Sequence, residues 1–321
     1  MKTPIFWKNN NALSALLFPL SLIYDAASKL HRACVIPLTL PIPVICIGNV
    51  TAGGAGKTPV ALHVGQKLKQ KNLRAFFLSR GYGGNLLGPL LVDPARHTAG
   101  EVGDEPLLLA RLLPTVVAGD RRAGARLAIE HGAQVIIMDD GLQNPSLAKT
   151  LSLLVVDGQS SFGNGHILPA GPLRESIAES IRRADAVIIM GSGEMIPFGK
   201  PLLRAIIQPS TDFGLKGKTL LAFCGIATPQ KFFTMLETLG ATLAETIAFA
   251  DHHAYTPPDL QTLADKAARH NATLVTTTKD AVRLPETFAK QVRVVDIALA
   301  FENEAMLDRL LDDALNAYGK A

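Results

Sequence analysis

The sequence predicts an α/β fold in two units: a parallel sheet covered by helices on both faces, then a smaller α/β unit. Three observations carry that expectation. Short apolar runs at 44–50, 74–79, 115–118, 135–139, 151–157 and 186–191 alternate with helical stretches, the order that builds parallel strands joined by crossover helices. A stretch at 197–218, rich in Pro, Gly and Lys and without a clear period, then breaks the pattern. A second strand series follows near 219–224, 245–249, 273–277 and 292–297. The expected divisions are therefore 1–34, an N-terminal hydrophobic helix, 35–210, the larger sheet, and 211–321, the smaller unit.

Length and composition agree with this division. At 321 residues the chain is long enough for two ordinary domains, and its 48% hydrophobic and 19% charged residues describe a well-cored globular protein. Aromatics make up only 6%, so core volume comes from Leu, Val, Ile and Ala. A net charge of +4, with Lys and Arg dispersed, argues against a nucleic-acid partner. Cys34, Cys46 and Cys224 are far apart and lack CxxC spacing, which fits a reducing compartment and no zinc site.

The first element, Leu13 to Tyr24, is almost wholly apolar between Lys2 and Lys8 on one side and Lys29 and Arg32 on the other. A membrane span needs about 20 apolar residues, and this run is shorter and contains Pro19. A signal peptide, with Ala26, Ala27 and Ser28 as a cleavage zone, conflicts with a nucleotide-binding loop just downstream. A helix lying in the membrane interface is the favoured reading, ahead of a helix packed on the protein's own body.

That loop follows the first strand. Gly53, Gly54, Ala55, Gly56, Lys57 and Thr58 precede a helix expected from Pro59 to Lys69. Small residues let backbone N–H groups converge on a phosphate, Lys57 reaches the outer phosphates, and the Thr58 hydroxyl holds magnesium. A glycine-rich turn with a chance Lys and Thr is the bland alternative, and the coincidence of strand, loop and helix outweighs it. The fold class is thus P-loop NTPase-like, although Thr51 stands where the general pattern has Gly.

Further along, the strand Val135 to Asp139 ends in Asp139 and Asp140, where a P-loop enzyme places its magnesium-organising carboxylate. Asp139 is the better candidate; a strand-end Asp capping a turn is the alternative. Glu101, Asp104 and Glu105 surround Gly103 in a loop that offers a general base, but a solvated acidic turn with Asp104 as a helix cap is the stronger reading of that loop alone. Arg121, Arg122 and Arg174 lie near strand ends and suit phosphate, or else surface ion pairs. Asp251, His252 and His253 suggest a metal site or an oriented imidazole; on spacing alone a structural or exposed pair is the commoner outcome.

Taken together, the segments resemble the tetraacyldisaccharide 4'-kinase (lipid A 4'-kinase) family over nearly the whole chain. The resemblance rests on the hydrophobic N-terminus, IGNVTAGGAGKTP from Ile47, SRGYGG from Ser79, GDEP from Gly103, DDGLQ from Asp139, LPAGPLRE from Leu168, ADHHAY from Ala250 and TTTKDAVRL from Thr276. Thr51 is normal for that family.

The resemblance implies ATP-dependent phosphorylation of the 4'-hydroxyl of a tetraacyldisaccharide 1-phosphate at the cytoplasmic face of the bacterial inner membrane, with Mg2+ and by a monomeric enzyme held at the membrane surface. It implies that Asp104 and His252 are catalytic with Lys57, reversing the bland readings of the acidic loop and the histidine pair. The loop Thr51, Ala52, Gly53, Gly54, Ala55, Gly56, Lys57 and Thr58 would cradle nucleotide; Thr58, Asp139 and Glu175 would surround the metal. Arg80, Arg121, Arg122 and Arg174 are the candidates for substrate phosphate, and the smaller unit is expected to close over the site. The rival reading is a membrane-associated P-loop switch ATPase without a small-molecule acceptor. The signature lysine of that group falls on Ala52, and the Asn of a GTPase base-recognition motif is missing beside Lys279 and Asp280.

Overall fold

The computed structural model describes residues 4–193, 199–210 and 214–318; Lys2 and part of the 197–218 boundary lie outside the described residues. Among the described residues thirteen strands form two sheets. In chain order they are β1 (Val44–Gly48), β2 (Ala75–Ser79), β3 (Leu90–Leu91), β4 (Thr115–Val117), β5 (Val135–Asp139), β6 (Leu151–Asp157), β7 (Ala186–Met190), β8 (Leu202–Pro209), β9 (Thr219–Cys224), β10 (Thr242–Ala248), β11 (Thr273–Thr277), β12 (Arg293–Val295) and β13 (Ile297–Phe301).

The large sheet has the order β13-β8-β7-β6-β1-β5-β2-β4-β3, parallel throughout except for the antiparallel edge strands β13 and β3. Its central strand β1 pairs with β5 on one side and β6 on the other. The chain crosses to opposite sides of β1, so the carboxyl end of β1 is a switch point, where open α/β sheets bind ligands.

Alternation along β1 fixes two cores. Ile45 and Ile47 point to one face with Val60, Val64 and Leu68 of the helix Lys57–Gln70, while Val44 and Cys46 point to the other with Ala125 and Ala128 of the helix Arg121–Glu130. Both faces are dry, which is why these strands read as continuous apolar runs.

The smaller sheet, order β10-β9-β11-β12, is wholly parallel. It ends earlier than the expected unit 211–321. The apolar run near 292–297 splits into β12 and β13, and β13 returns to pair antiparallel with β8 of the large sheet. The helix Glu304–Asn316 then lays Leu307, Leu311 and Ala314 on the same core as Ile45 and Leu68. Ion pairs of Lys67 with Glu304 and Asp308, and of Lys71 with Asp312, hold it there. Its stripe at i, i+4 and i+7 needs an apolar partner, and the large sheet provides one. β8 itself lies inside the stretch expected to be the boundary.

The N-terminal helix runs from Ala12 to Cys34, well beyond the expected run to Tyr24, and contains Pro19. It is long and apolar enough to cross a membrane by length and composition. Its packing is inverted relative to a core helix: the buried residues are Ser14 and Ser21, one helical face, while Leu16, Leu20, Leu22, Ile23 and Leu30 face outward.

Candidate active site

The loop after β1 is held open by its neighbours. Asn49 Nδ2 donates to the carbonyls of Thr51 and Gly53, at 2.7 and 3.3 Å. The Ala52 N–H donates to the Pro172 carbonyl at 2.7 Å. Gly53 and Gly56 take φ values of 135° and 88°, which L side chains rarely adopt, so the loop needs glycine at both. The helix begins directly at Lys57, leaving its first N–H groups aimed into the loop. Lys57 Nζ donates to Asn49 Oδ1 at 3.1 Å and lies 3.6 Å from Asp140 Oδ1. Ala55 is buried, and Gly54 faces Ala227 of the smaller sheet's first loop.

Asp139, at the end of β5, is buried, and its Oδ1 has no hydrogen-bond partner. Burial first, then repulsion from Glu105 and Asp140, pushes its carboxyl well above the usual range, against the pull of Lys57 and Lys279. An unpartnered buried carboxylate beside the Thr58 loop fits a cation. Among the described residues no three His, Cys, Asp or Glu side chains form a metal cage. Thr58 Oγ1 donates to Glu105 Oε1 at 3.3 Å.

The two sheets meet at Asp104 and His252. Gly103 precedes Asp104 with φ 91°, and a Cβ there would stand 2.5 Å from the Tyr82 carbonyl, so glycine permits the turn that buries Asp104 at the start of the helix Asp104–Ala110. His252, with φ 59°, sits in the loop after β10 and places Nδ1 3.1 and 3.0 Å from the two Asp104 carboxylate oxygens. The Glu105 N–H also donates to Asp104 Oδ1. Burial opposes ionisation of Asp104, but the His252 hydrogen bond and the charges of Lys279 and Arg283 outweigh it and hold the carboxyl below its usual range. The Asp104 carboxylate is therefore anionic, and His252 Nδ1 carries the hydrogen.

Behind this pair stands a network that residue spacing does not announce. Arg283 lies 3.8 Å from Asp104 Oδ2 and donates to Asp280 Oδ1 at 2.8 Å and to the carbonyls of His253 and Gly225, both at 3.1 Å. Asp280 Oδ1 also accepts from the Gly225 N–H and the Tyr255 hydroxyl, each at 2.7 Å. Since the His252 N–H donates to the Gly225 carbonyl, the network fixes the histidine loop. Asn49, Lys279, Asp280 and Arg283 thus join the expected site residues. Their signal in the sequence is the long TTTKDAVRL string for the last three, whose chemistry spacing alone does not disclose.

The arginines divide. Arg121 is buried, donates from Nη1 to the Ala118 carbonyl and leaves its Nε unpartnered; burial first, then the charge of Arg80, lower its pKa to about 10 against the pull of Asp140 and Asp139. Arg174 donates to both Asp140 oxygens at 2.8 and 2.9 Å, adjoining Lys57. Arg122 is different: it donates to the carbonyls of Ser146 and Ile36 and ties loops together, away from the phosphate role expected of it. Glu175 is likewise a structural anchor. Its buried carboxylate accepts from Gln143 and Arg183 and lies 3.6 Å from Arg32.

The family model for tetraacyldisaccharide-1-P 4'-kinase (LpxK) matches residues 13–316. The chain is 48% identical to the tetraacyldisaccharide 4'-kinase of Rhodospirillum centenum, covering 98% of this chain and 97% of that one. It is 49% identical to that of Methylorubrum extorquens strain PA1, covering 97% and 98%. The solved structure of LpxK from Aquifex aeolicus in complex with ATP superposes with a TM-score of 0.78 at 29% identity, covering 94% of this chain and 99% of that chain. With matching sequence, fold and phosphate loop over nearly its full length, the chain belongs to the tetraacyldisaccharide-1-P 4'-kinase family.

Proposed function

We propose that the protein transfers the γ-phosphoryl group of ATP to the 4'-hydroxyl of a tetraacyldisaccharide 1-phosphate, a step of lipid A synthesis. The observation that carries this reading is the Asp104–His252 pair, next to Glu105, which accepts from Thr58 of the phosphate loop. A nucleotide switch has no use for a base on the acceptor side.

The loop Thr51–Thr58 cradles the phosphates through its N–H groups, and Lys57 draws the terminal pair toward it. Thr58 and Asp139 would hold Mg2+, which would supply charge neutralisation on the phosphates. The acceptor oxygen bonds to the γ-phosphorus as the bond to the β–γ bridging oxygen breaks, ADP leaves, and the hydroxyl proton passes to the Asp104–His252 dyad. The dyad acts as one base. Arg80 and Arg121 steady a substrate or transferring phosphate.

A substrate with four acyl chains does not leave the bilayer readily, at about 0.8 kcal/mol for each CH₂ exposed to water. The outward apolar face of the helix Ala12–Cys34 supports docking at the membrane surface, in the cytoplasmic leaflet of the inner membrane where ATP is available, with the protein acting as a monomer. The smaller sheet closes the cleft in this reading, its Ala227, His252 and Lys279 meeting the large domain.

Incubating purified protein with γ-labelled ATP, Mg2+ and tetraacyldisaccharide 1-phosphate in detergent micelles should move label into lipid. ATP turnover without labelled lipid would sink the assignment.

A further inference from the structure

Lys279 follows β11 in the short helix Thr278–Ala281, which packs against the helix Asp104–Ala110. Its backbone is fixed because the next residue, Asp280, is locked by Gly225, Tyr255 and Arg283. Its Nζ donates to Glu105 Oε1 at 3.2 Å, and that same oxygen accepts from Thr58 Oγ1 at 3.3 Å. The ammonium is thus two hydrogen bonds from the hydroxyl that closes the phosphate loop. An ammonium has three N–H donors and this one makes a single bond among the described residues. Burial works against its charge, yet Glu105, Asp104 and Asp251 more than offset that and keep it protonated. Arg283, the nearby cation of the smaller sheet, is engaged with Asp280. Lys279 keeps donors to offer.

Resting on the kinase reading, we propose that Lys279 is a second phosphate-binding lysine, delivered from the smaller domain, which rests on Glu105 in the nucleotide-free protein and transfers to the terminal phosphate when a nucleoside triphosphate binds. The exchange gives the protein a means of telling a triphosphate from a diphosphate, and it couples that distinction to the domain carrying His252. Lys57 alone, anchored in the large domain by Asn49 and Asp140, provides no such link.

The test is calorimetric titration of the β,γ-imido analogue of ATP and of ADP, each with Mg2+, into the full chain and its variants. The unaltered protein should prefer the triphosphate analogue. Lys279→Met should weaken the analogue about 10- to 100-fold, the span expected for a lost charge-assisted bond, and leave ADP unchanged. Lys279→Arg should keep part of the preference. Glu105→Gln, which removes the resting partner but not the ammonium, should keep the preference too. Equal loss for both nucleotides in Lys279→Met, no loss for either, or a preference erased equally by Glu105→Gln would overturn the proposal. An unaltered protein that bound neither nucleotide would overturn the kinase reading itself.

Discussion

His252 Nδ1 lies 3.0 and 3.1 Å from the two carboxylate oxygens of Asp104, a residue 148 positions earlier on a helix that packs against the large sheet, whereas His252 follows a strand of the smaller one. The pair should therefore behave as a unit in mutation. Asp104→Ala should lower turnover by about 10²- to 10⁴-fold, His252→Ala by a comparable factor, and the double variant by little more than either single one. Nucleotide affinity should stay at the wild-type value in all three. Single-turnover kinetics with a parallel binding titration measure both quantities. Full additivity of the two losses would show that the residues act separately.

Lys57 lies on the nucleotide side, and its loss should read differently. With Asn49 and Asp140 holding it at the mouth of the loop, Lys57→Ala should weaken triphosphate binding as well as transfer, since it removes the charge aimed at the outer phosphates. A variant with unchanged triphosphate affinity and turnover would remove Lys57 from the site.

Asp139 links the site to pH. Its folded pKa is raised above the ordinary value of 3.8, so the folded protein holds that proton more tightly than the unfolded chain. Its stabilising contribution is then complete below about pH 4 and is lost as pH rises through the raised folded value. Asp139→Asn removes that loss. Without nucleotide or Mg2+ the variant should be more stable than the parent on the alkaline side, by roughly 1–4 kcal/mol, and the gap should shrink toward acid. Mg2+-dependent nucleotide binding should fall in the same variant. Denaturant melts at stepped pH check the first expectation; a gap constant with pH would refute burial of the Asp139 charge as its cause.

Much of this was legible in the sequence because its signal is local. The phosphate loop, the buried strands β1, β5, β6 and β7, and the acid at the end of β5 are each read within one strand and its following turn. What escaped was non-local. The return of β13 to β8 depends on a partner about ninety residues away, and the apolar run near 297 is equally consistent with either sheet. Arg283 and Asp280 matter through carbonyls and carboxylates brought together only by folding, so their types and spacing carry no mark of it. The partners of Glu175 were equally hidden, because Arg183 and Arg32 reach its carboxylate only in the folded chain.

The Arg283–Asp280 pair is buried on both sides, each side chain no more than 4% exposed. Removing one partner leaves the other an uncompensated buried charge. Arg283→Met should cost about 3–5 kcal/mol, whereas Arg283→Met combined with Asp280→Asn should cost less than the sum of the two single changes. Urea denaturation of the four proteins closes the cycle. A simple sum would mean that the two groups hold the histidine loop independently.

The N-terminal helix offers the cleanest separation of stability from location. Leu16 and Ile23 are 74% and 66% exposed, so Leu16→Glu and Ile23→Glu remove almost no packing and should change stability by no more than about 0.5 kcal/mol. In a bilayer interface each of those side chains contributes roughly 1.5–3 kcal/mol, so each change should reduce association with phospholipid vesicles by about 10- to 100-fold. Ser21 is the opposite case: its hydroxyl donates to the Ile167 carbonyl at 2.7 Å and accepts from the Ala170 N–H at 3.1 Å, so Ser21→Leu should destabilise the attachment of the helix to the body. Vesicle co-sedimentation and thermal melts on the same three variants distinguish the faces. If the glutamate variants melted early and still sedimented with vesicles, the outward face would be packing against protein and the membrane reading of this helix would be wrong.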